Sequence, residues 1–311
     1  MESQSIEPSS TLQTISNSLS DIVSEISNSV VAIQNPSRFV GSGVFWRDNI
    51  VVTAAHLLKQ EKEVVLIYPD GNSHPAELVG IDPGIDLAVL KTAAQTLGVP
   101  SIRSENHLKP GQLVTAVGRG GDASIGACWG IVSNVSGEWQ SWSGSTVEHY
   151  IELDMRLSRG FSGSPLVSVD GEVLGIVTSG FNRRKTLTIP SITINRMLGP
   201  LMEKGRISRG FMGVGLYPVR LPEKISSSLS PSRKSGVVIV GMNDGGPADT
   251  SGLIVGDILL SIDGKSVSDI RDVRRVLRPE TVGREVPVHI LRAGISEEFQ
   301  VTIGEHPKRS P

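Results

Sequence analysis

The chain has 311 residues, 20% of them charged, with a net charge of -2. That length allows two domains, and the near-neutral balance excludes a bulk basic field for nucleic acid or anionic membrane. A single cysteine, Cys128, excludes an intrachain disulfide. Residues Met1–Ser10 are polar and read as disordered. From Thr11 to Ser27, the residues Leu12, Ile15, Leu19, Ile22, Val23 and Ile26 follow a helical repeat and predict an amphipathic helix. The start shows no basic n-region and no apolar h-region, and no apolar run is long enough to cross a bilayer. The expectation is a soluble chain without a transmembrane segment, in the cytoplasm, or in the cell envelope if a leader was removed.

From Val30 to Ile194 short strand-like runs alternate with turn residues: Val30–Ile33, Val64–Tyr68, Leu113–Gly118, Ile131–Val135, Val147–Leu153 and Val173–Thr178. No long helical repeat intervenes, and such a pattern suits two packed antiparallel barrels. Thr193–Lys204 predicts a closing helix, and Gly199–Gly210 a short polar connection. A second unit follows, with Gly210-Phe211-Met212-Gly213-Val214-Gly215-Leu216, the strand Ser235–Val240, the turn Gly246-Pro247-Ala248-Asp249 and the run Val255–Gly264. Within it Pro218–Lys234 reads as a serine-rich loop and Ile270–Leu277 as a helix; His306–Pro311 reads as a frayed tail.

Three stretches carry chemistry. Ser162 lies in Arg159-Gly160-Phe161-Ser162-Gly163-Ser164-Pro165, between glycines that permit a tight turn. A serine hydroxyl needs a base beside it and N–H donors around the developing oxyanion. His56 follows the apolar run Ile50–Ala55, and Asp86 leads into Leu87–Leu90. A buried carboxylate needs a partner, and His56 is the natural one: it would donate to Asp86 and accept the Ser162 proton. The rival acid, Asp82, sits in the turn Asp82-Pro83-Gly84, where a solvated carboxylate is ordinary; the rival nucleophile, Ser164, precedes a proline. The other histidines, His74, His107, His149, His289 and His306, show no metal-ligand spacing, and no Gly-x-x-x-x-Gly-Lys loop for a nucleotide is present.

These stretches resemble the catalytic motifs of chymotrypsin-like serine proteases in their order His, Asp, Ser. The wording of Thr53-Ala54-Ala55-His56, Asp86-Leu87-Ala88-Val89-Leu90 and Gly160-Phe161-Ser162-Gly163-Ser164-Pro165-Leu166 is similar to that of the HtrA family. The alpha/beta-hydrolase order fails, since only His289 and His306 follow Ser162. The resemblance implies a mainly β chain: an N-terminal segment over residues 1–28, a two-barrel chymotrypsin-like (trypsin-like) serine protease domain over 29–204, and one PDZ domain over 210–305. Its barrels would run from Ser29 to about Gln95 and from Ile102 to Pro190. It implies an ATP-independent serine endopeptidase acting on misfolded or unfolded proteins, with His56, Asp86 and Ser162 as triad and no cofactor or metal. The oxyanion hole would be the N–H groups of Gly160 and Ser162, with the Phe161 amide nearby. A homotrimer, or a multiple of it, would form through the N-terminal segment.

Family pockets are apolar, and Leu187, Thr188 and Ile189 would line a wall of this one. Arg156 falls where some relatives place a specificity determinant, and Arg159 replaces a frequent proline, so either would favour an acidic substrate side chain; alternatively Arg156 pairs with Asp154 or Glu152 at the surface. The PDZ domain implies capture of C-terminal peptides, with the carboxylate on amides around Phe211, Met212 and Gly213 and the peptide added as a strand along Val214–Leu216. The competing readings are a latent protease acting mainly as a PDZ chaperone or scaffold, and an esterase with the same triad.

Overall fold

A computed structural model describes residues 11–35, 38–58, 63–105, 108–141, 145–181, 185–207, 210–229 and 233–306. The readings made above for Met1–Ser10, for His107 and for the tail beyond His306 lie outside these residues. The chain divides into two compact units: the bulk of the first ends at Arg206 and that of the second begins at Ile207.

Helix α1 spans Thr11–Ser27, as its repeat predicts. Its second half turns Ile22 and Ile26 into the protein, while Leu12 and Ile15 near its start stay exposed. Six strands then close a barrel: β1 (Val30–Asn35), β2 (Arg38–Arg47), β3 (Ile50–Ala54), β4 (Glu63–Ile67), β5 (Ser73–Asp82) and β6 (Leu87–Thr92), in the order β1-β2-β3-β6-β5-β4. Their apolar residues, among them Val31, Ile33, Phe45, Val51, Leu66 and Leu90, fill its interior.

The second barrel follows with β7 (Leu113–Arg119), β8 (Ile125–Ser136), β9 (Trp139–Gln140), β10 (Thr146–Val147), β11 (Tyr150–Asp154), β12 (Pro165–Ser168), β13 (Val173–Thr178) and β14 (Thr186–Pro190). Its closed order is β11-β14-β13-β12-β7-β8, with β9 and β10 paired apart. Helix α2 (Ser191–Lys204) begins two residues earlier than predicted. The run Val147–Leu153, expected as one strand, is two. The break at Glu148 has a cause: its carboxylate accepts from the Thr193 hydroxyl and the Arg196 guanidinium of α2. Burial pushes the Glu148 carboxyl up, but the bonds from Arg196 and Thr193 outweigh it and hold the group below its usual value. Arg119, 5% exposed, ties α1 to both barrels: Nη2 donates to Ser27 O at 2.6 Å, Nε to Val30 O at 2.7 Å and Nη1 to Ala123 O at 2.6 Å. A cation on the last carbonyls of α1 also suits the helix dipole.

The second unit contains β15 (Gly210–Phe211), β16 (Val214–Arg220), α3 (Glu223–Leu229), β17 (Ser235–Met242), α4 (Pro247–Thr250), β18 (Ile258–Ile262), β19 (Lys265–Ser266), α5 (Ile270–Val276), β20 (Glu285–Arg292), β21 (Ile295–Thr302) and β22 (Gly304–Glu305). The main sheet runs β16-β17-β18-β20-β21, which leaves β16 at an edge. Val237, Ile239, Val273, Val276, Val288 and Ile290 share its core. The expected loop over Pro218–Lys234 is corrected: it completes β16 and then forms α3. Ile225 and Leu229, one turn apart on α3, pack on Leu221, Leu260 and Leu291, and that apolar pair is what makes the segment helical. No helix among the described residues is long and apolar enough to cross a membrane.

Candidate active site

Strands β3 and β6 are neighbours in register, with Ala54 opposite Leu87. The residues just beyond that pair are therefore brought together: His56 in the turn after β3, and Asp86 before β6. Ala55 N–H donates to Asp86 O at 3.0 Å, and His56 N–H to Asp86 Oδ1 at 2.8 Å. The His56 ring meets Asp86 Oδ2 through Nδ1 at 2.8 Å. Thr178, at the end of β13, donates its hydroxyl to the same Oδ2. Asp86 is 5% exposed, so these donors replace the water its charge would otherwise need. Its φ of 59° lies in the left-handed region, which aspartate tolerates better than most residues.

Asp82 is not the solvated turn residue that the sequence suggested. It is 1% exposed at the end of β5, and its carboxylate accepts from Gly84 N–H at 2.7 Å. That bond fixes the turn leading to Asp86.

Ser162 stands between β11 and β12, in a turn that Gly160 (φ 92°) and Gly163 (φ 85°) allow. Phe161 N–H donates to Ser158 O at 3.2 Å, Gly163 N–H to Val177 O at 2.9 Å and Ser164 N–H to Phe161 O at 3.0 Å. Among the described residues, the N–H groups of Gly160 and Ser162 donate to no protein acceptor. Ser164 is fully buried, and its hydroxyl donates to Phe161 O at 2.5 Å.

Two groups that the sequence reading passed over hold this turn. Ser42, buried in β2, donates its N–H to Ser162 O at 3.1 Å and its hydroxyl to Gly160 O at 2.9 Å; the same hydroxyl accepts from Arg119 N–H at 3.0 Å. Ser179 meets Ser162 directly, Oγ to Oγ at 3.1 Å. No hydrogen bond joins Ser162 to His56 among the described residues. The only visible signal for Ser42 was a serine between two glycines inside an apolar strand; Ser179 had none.

The pocket residues separate. Leu187, Thr188 and Ile189 follow one another on β14, and successive side chains of a strand point to opposite faces. Thr188 pairs with Ile151 and Val177, both in the core of the second barrel, while Leu187 and Ile189 take the other face. The three cannot line one wall. The Thr188 hydroxyl is buried and has no hydrogen-bond partner among the described residues. Arg156 and Arg159 are exposed, and Arg156 forms no ion pair with Asp154 or Glu152. Glu152 is engaged by Tyr150 Oη and Lys185 Nζ, each at 2.8 Å.

In the second unit Phe211 pairs with Gly304, Met212 is 1% exposed, and Gly213 (φ 76°) turns the chain into β16, which begins at Val214. The N–H groups of Met212 and Gly213 donate to no protein acceptor among the described residues. Two free donors at the head of an edge strand can receive a carboxylate.

Residues 41–176 match the family described as trypsin-like peptidase domain, and residues 210–303 match the PDZ domain family. A probable periplasmic serine endoprotease DegP-like from Halomonas elongata is 31% identical over 278 residues, covering 87% of this chain and 57% of that protein. One from Brucella suis is 31% identical over 279 residues, covering 86% of this chain and 53% of its own length. The chain thus spans little more than half of these relatives. Among solved structures, HtrA-type protease AlgW with tripeptide has TM-score 0.70 at 26% identity, covering 93% of this chain and 97% of that one. The serine endoprotease from Yersinia pestis has TM-score 0.70 at 26% identity, covering 93% and 98%. With two six-stranded barrels, a sheet unit matching the PDZ family after them and relatives of this kind, the chain belongs with the HtrA/DegP family: a trypsin-like peptidase domain followed by one PDZ domain.

Proposed function

We propose that the chain is a serine endopeptidase that cleaves unfolded proteins without ATP, with Ser162 as nucleophile, His56 as general base and then general acid, and Asp86 as the group that orients His56. The observation that carries this reading is the His56 ring, held through Nδ1 on a buried carboxylate with three donors. That contact fixes the tautomer in which Nε2 is free to take a proton. Ser162 Oγ attacks the peptide carbonyl carbon as its proton passes to Nε2. The oxyanion rests on the N–H groups of Gly160 and Ser162, and the proton then goes to the leaving amine. Water repeats the sequence on the acyl-enzyme. The boundaries that go with this reading are 29–204 for the protease domain and 210–305 for the PDZ domain.

The PDZ domain would take a peptide C-terminus, its carboxylate on Met212 and Gly213 N–H and its backbone along the free edge of β16. Free-acid peptides should bind and amidated ones should not. A trimer is the assembly we propose. Leu12, 79% exposed, and Ile15, 45% exposed, leave the first turns of α1 with an apolar face for a neighbouring copy. Sedimentation of a monomer at micromolar concentration would exclude it. The names of the relatives favour the periplasm over the cytoplasm that the sequence reading preferred.

The test is cleavage of unfolded casein at about pH 8, where a histidine base is neutral, by the chain and by Ser162→Ala. Cleavage lost in the variant supports the reading; equal cleavage by both sinks it. A second reading, a latent protease serving as a PDZ scaffold, is favoured by one observation: the Ser162 hydroxyl is bonded to Ser179 and not to His56. Cleavage that appears only with added C-terminal peptide would select it.

A further inference from the structure

We propose that Ser179 is a positioning residue of the protease centre: its hydroxyl holds the Ser162 hydroxyl in a resting orientation, and the nucleophile becomes competent when it exchanges Ser179 for His56. The proposal rests on the protease reading above and adds to it a named group that sets how often the triad is closed.

Three consecutive residues reach all three members of the triad. Thr178 donates to Asp86 Oδ2, Ser179 meets Ser162 Oγ at 3.1 Å, and Gly180 lies against the dyad. A Cβ on Gly180 would stand 2.3 Å from Asp86 Oδ2 and 2.8 Å from His56 Nδ1. The Gly180 N–H is turned back to Thr178 Oγ1 at 2.8 Å, which stiffens the segment.

His56 is held on Asp86 by both its backbone N–H and its ring, so the histidine has little freedom to seek the serine. The serine, in contrast, has one torsion with three staggered wells. One well places Oγ on Ser179; another must place it on His56 Nε2 for proton transfer. Ser179 is exposed, so its hydroxyl exchanges Ser162 for water at small cost when the serine swings away. A neutral hydroxyl pair of this kind contributes a modest net free energy, which sets the expected effect of removing it at about 2- to 10-fold.

The full chain, Ser179→Ala and Ser179→Thr are compared in the rate of inactivation by a fluorophosphonate, a serine-directed probe that needs no peptide subsite, and in kcat and KM on a peptide substrate. Ser179→Ala should be phosphonylated about 2- to 10-fold faster, with kcat raised by the same factor and KM unchanged. Ser179→Thr, which restores a hydroxyl, should match the parent chain. A rate for Ser179→Ala equal to or below the parent's, or a threonine variant as fast as the alanine one, overturns the proposal. Ser162→Ala serves as the unlabelled control. No label on either the parent chain or Ser179→Ala, with or without added C-terminal peptide, overturns the hydrolase reading itself and the proposal with it. Thermal melts of both variants separate slowed chemistry from loss of fold.

Discussion

Replacing Asp86 with asparagine should lower kcat by about 10⁴-fold while the chain stays folded. Oδ1 accepts His56 N–H, and Oδ2 accepts both the His56 ring and the Thr178 hydroxyl. An amide has one acceptor oxygen. If that oxygen stays on His56 N–H, the NH₂ group faces Nδ1, and the ring must turn to the tautomer in which Nδ1 accepts and Nε2 carries the proton. The base is then unavailable to Ser162. If the amide is reversed, its NH₂ opposes His56 N–H, and two buried donors face one another. Four powers of ten correspond to about 5.4 kcal/mol in the barrel-spanning site's activation free energy, whereas the folded state loses about 1–3 kcal/mol for one mismatched buried group. The left-handed backbone at Asp86 remains open to asparagine. The assay is kcat on a peptide substrate beside a thermal melt, with Asp82→Asn in parallel. Asp82 holds Gly84 N–H and should affect melting while leaving the kcat of folded protein within about threefold. An Asp86→Asn chain within tenfold of the parent, or a larger kcat loss from Asp82→Asn, would refute the assignment of the acid.

Three further outcomes are expected. Ser42→Ala removes the hydroxyl that bridges Arg119 N–H and Gly160 O and should destabilise the first unit by about 1–3 kcal/mol, with kcat falling more than KM rises, as urea titration and steady-state kinetics will show. Glu148 is held below its ordinary value in the folded chain. Its stabilisation is therefore complete above the usual 4.5 and is lost as pH falls through the folded value, because the unfolded chain binds the proton first. Glu148→Gln should lower the melting temperature at about pH 7 and approach the parent at about pH 3. In the second unit Asp257 is fully buried and accepts from Arg292 Nε and Nη2, each at 2.8 Å, and from Ile254 N–H at 2.8 Å. Asp257→Ala should cost about 3–5 kcal/mol and abolish C-terminal peptide binding, measured by calorimetry on the full chain.

What the sequence made legible follows from what each signal reports. Helix α1 and strand β13 were visible in full because their signals are local: an apolar repeat of helical spacing in α1 and a short continuous apolar run in β13, buried along its whole length. The run Val147–Leu153 hid its break because Glu148 leaves the strand for two partners on α2, a long-range contact that no local pattern encodes. The loop expected over Pro218–Lys234 hid α3 because its serines masked a single apolar pair, Ile225 and Leu229. At the site, the three ordered motifs brought out the residues whose side-chain chemistry is distinctive: a histidine, an aspartate and a serine between glycines. Ser42, Thr178 and Ser179 went unseen because a hydroxyl is common and informative only through its partner. Asp82 was misjudged for a related reason. Asp-Pro-Gly turns are ordinarily solvated, yet this one is buried, and its carboxylate spends its acceptor on the turn that delivers Asp86. The general consequence concerns the order of inference. Sequence motifs identify groups that can do the chemistry, but the state of the centre is set by neutral hydroxyls around them. Here one such hydroxyl, on Ser179, meets the very group that His56 requires, so the same three motif residues are compatible with a closed triad or an open one, and under the proposal above the competition between Ser179 and His56 for the Ser162 hydroxyl decides which is populated.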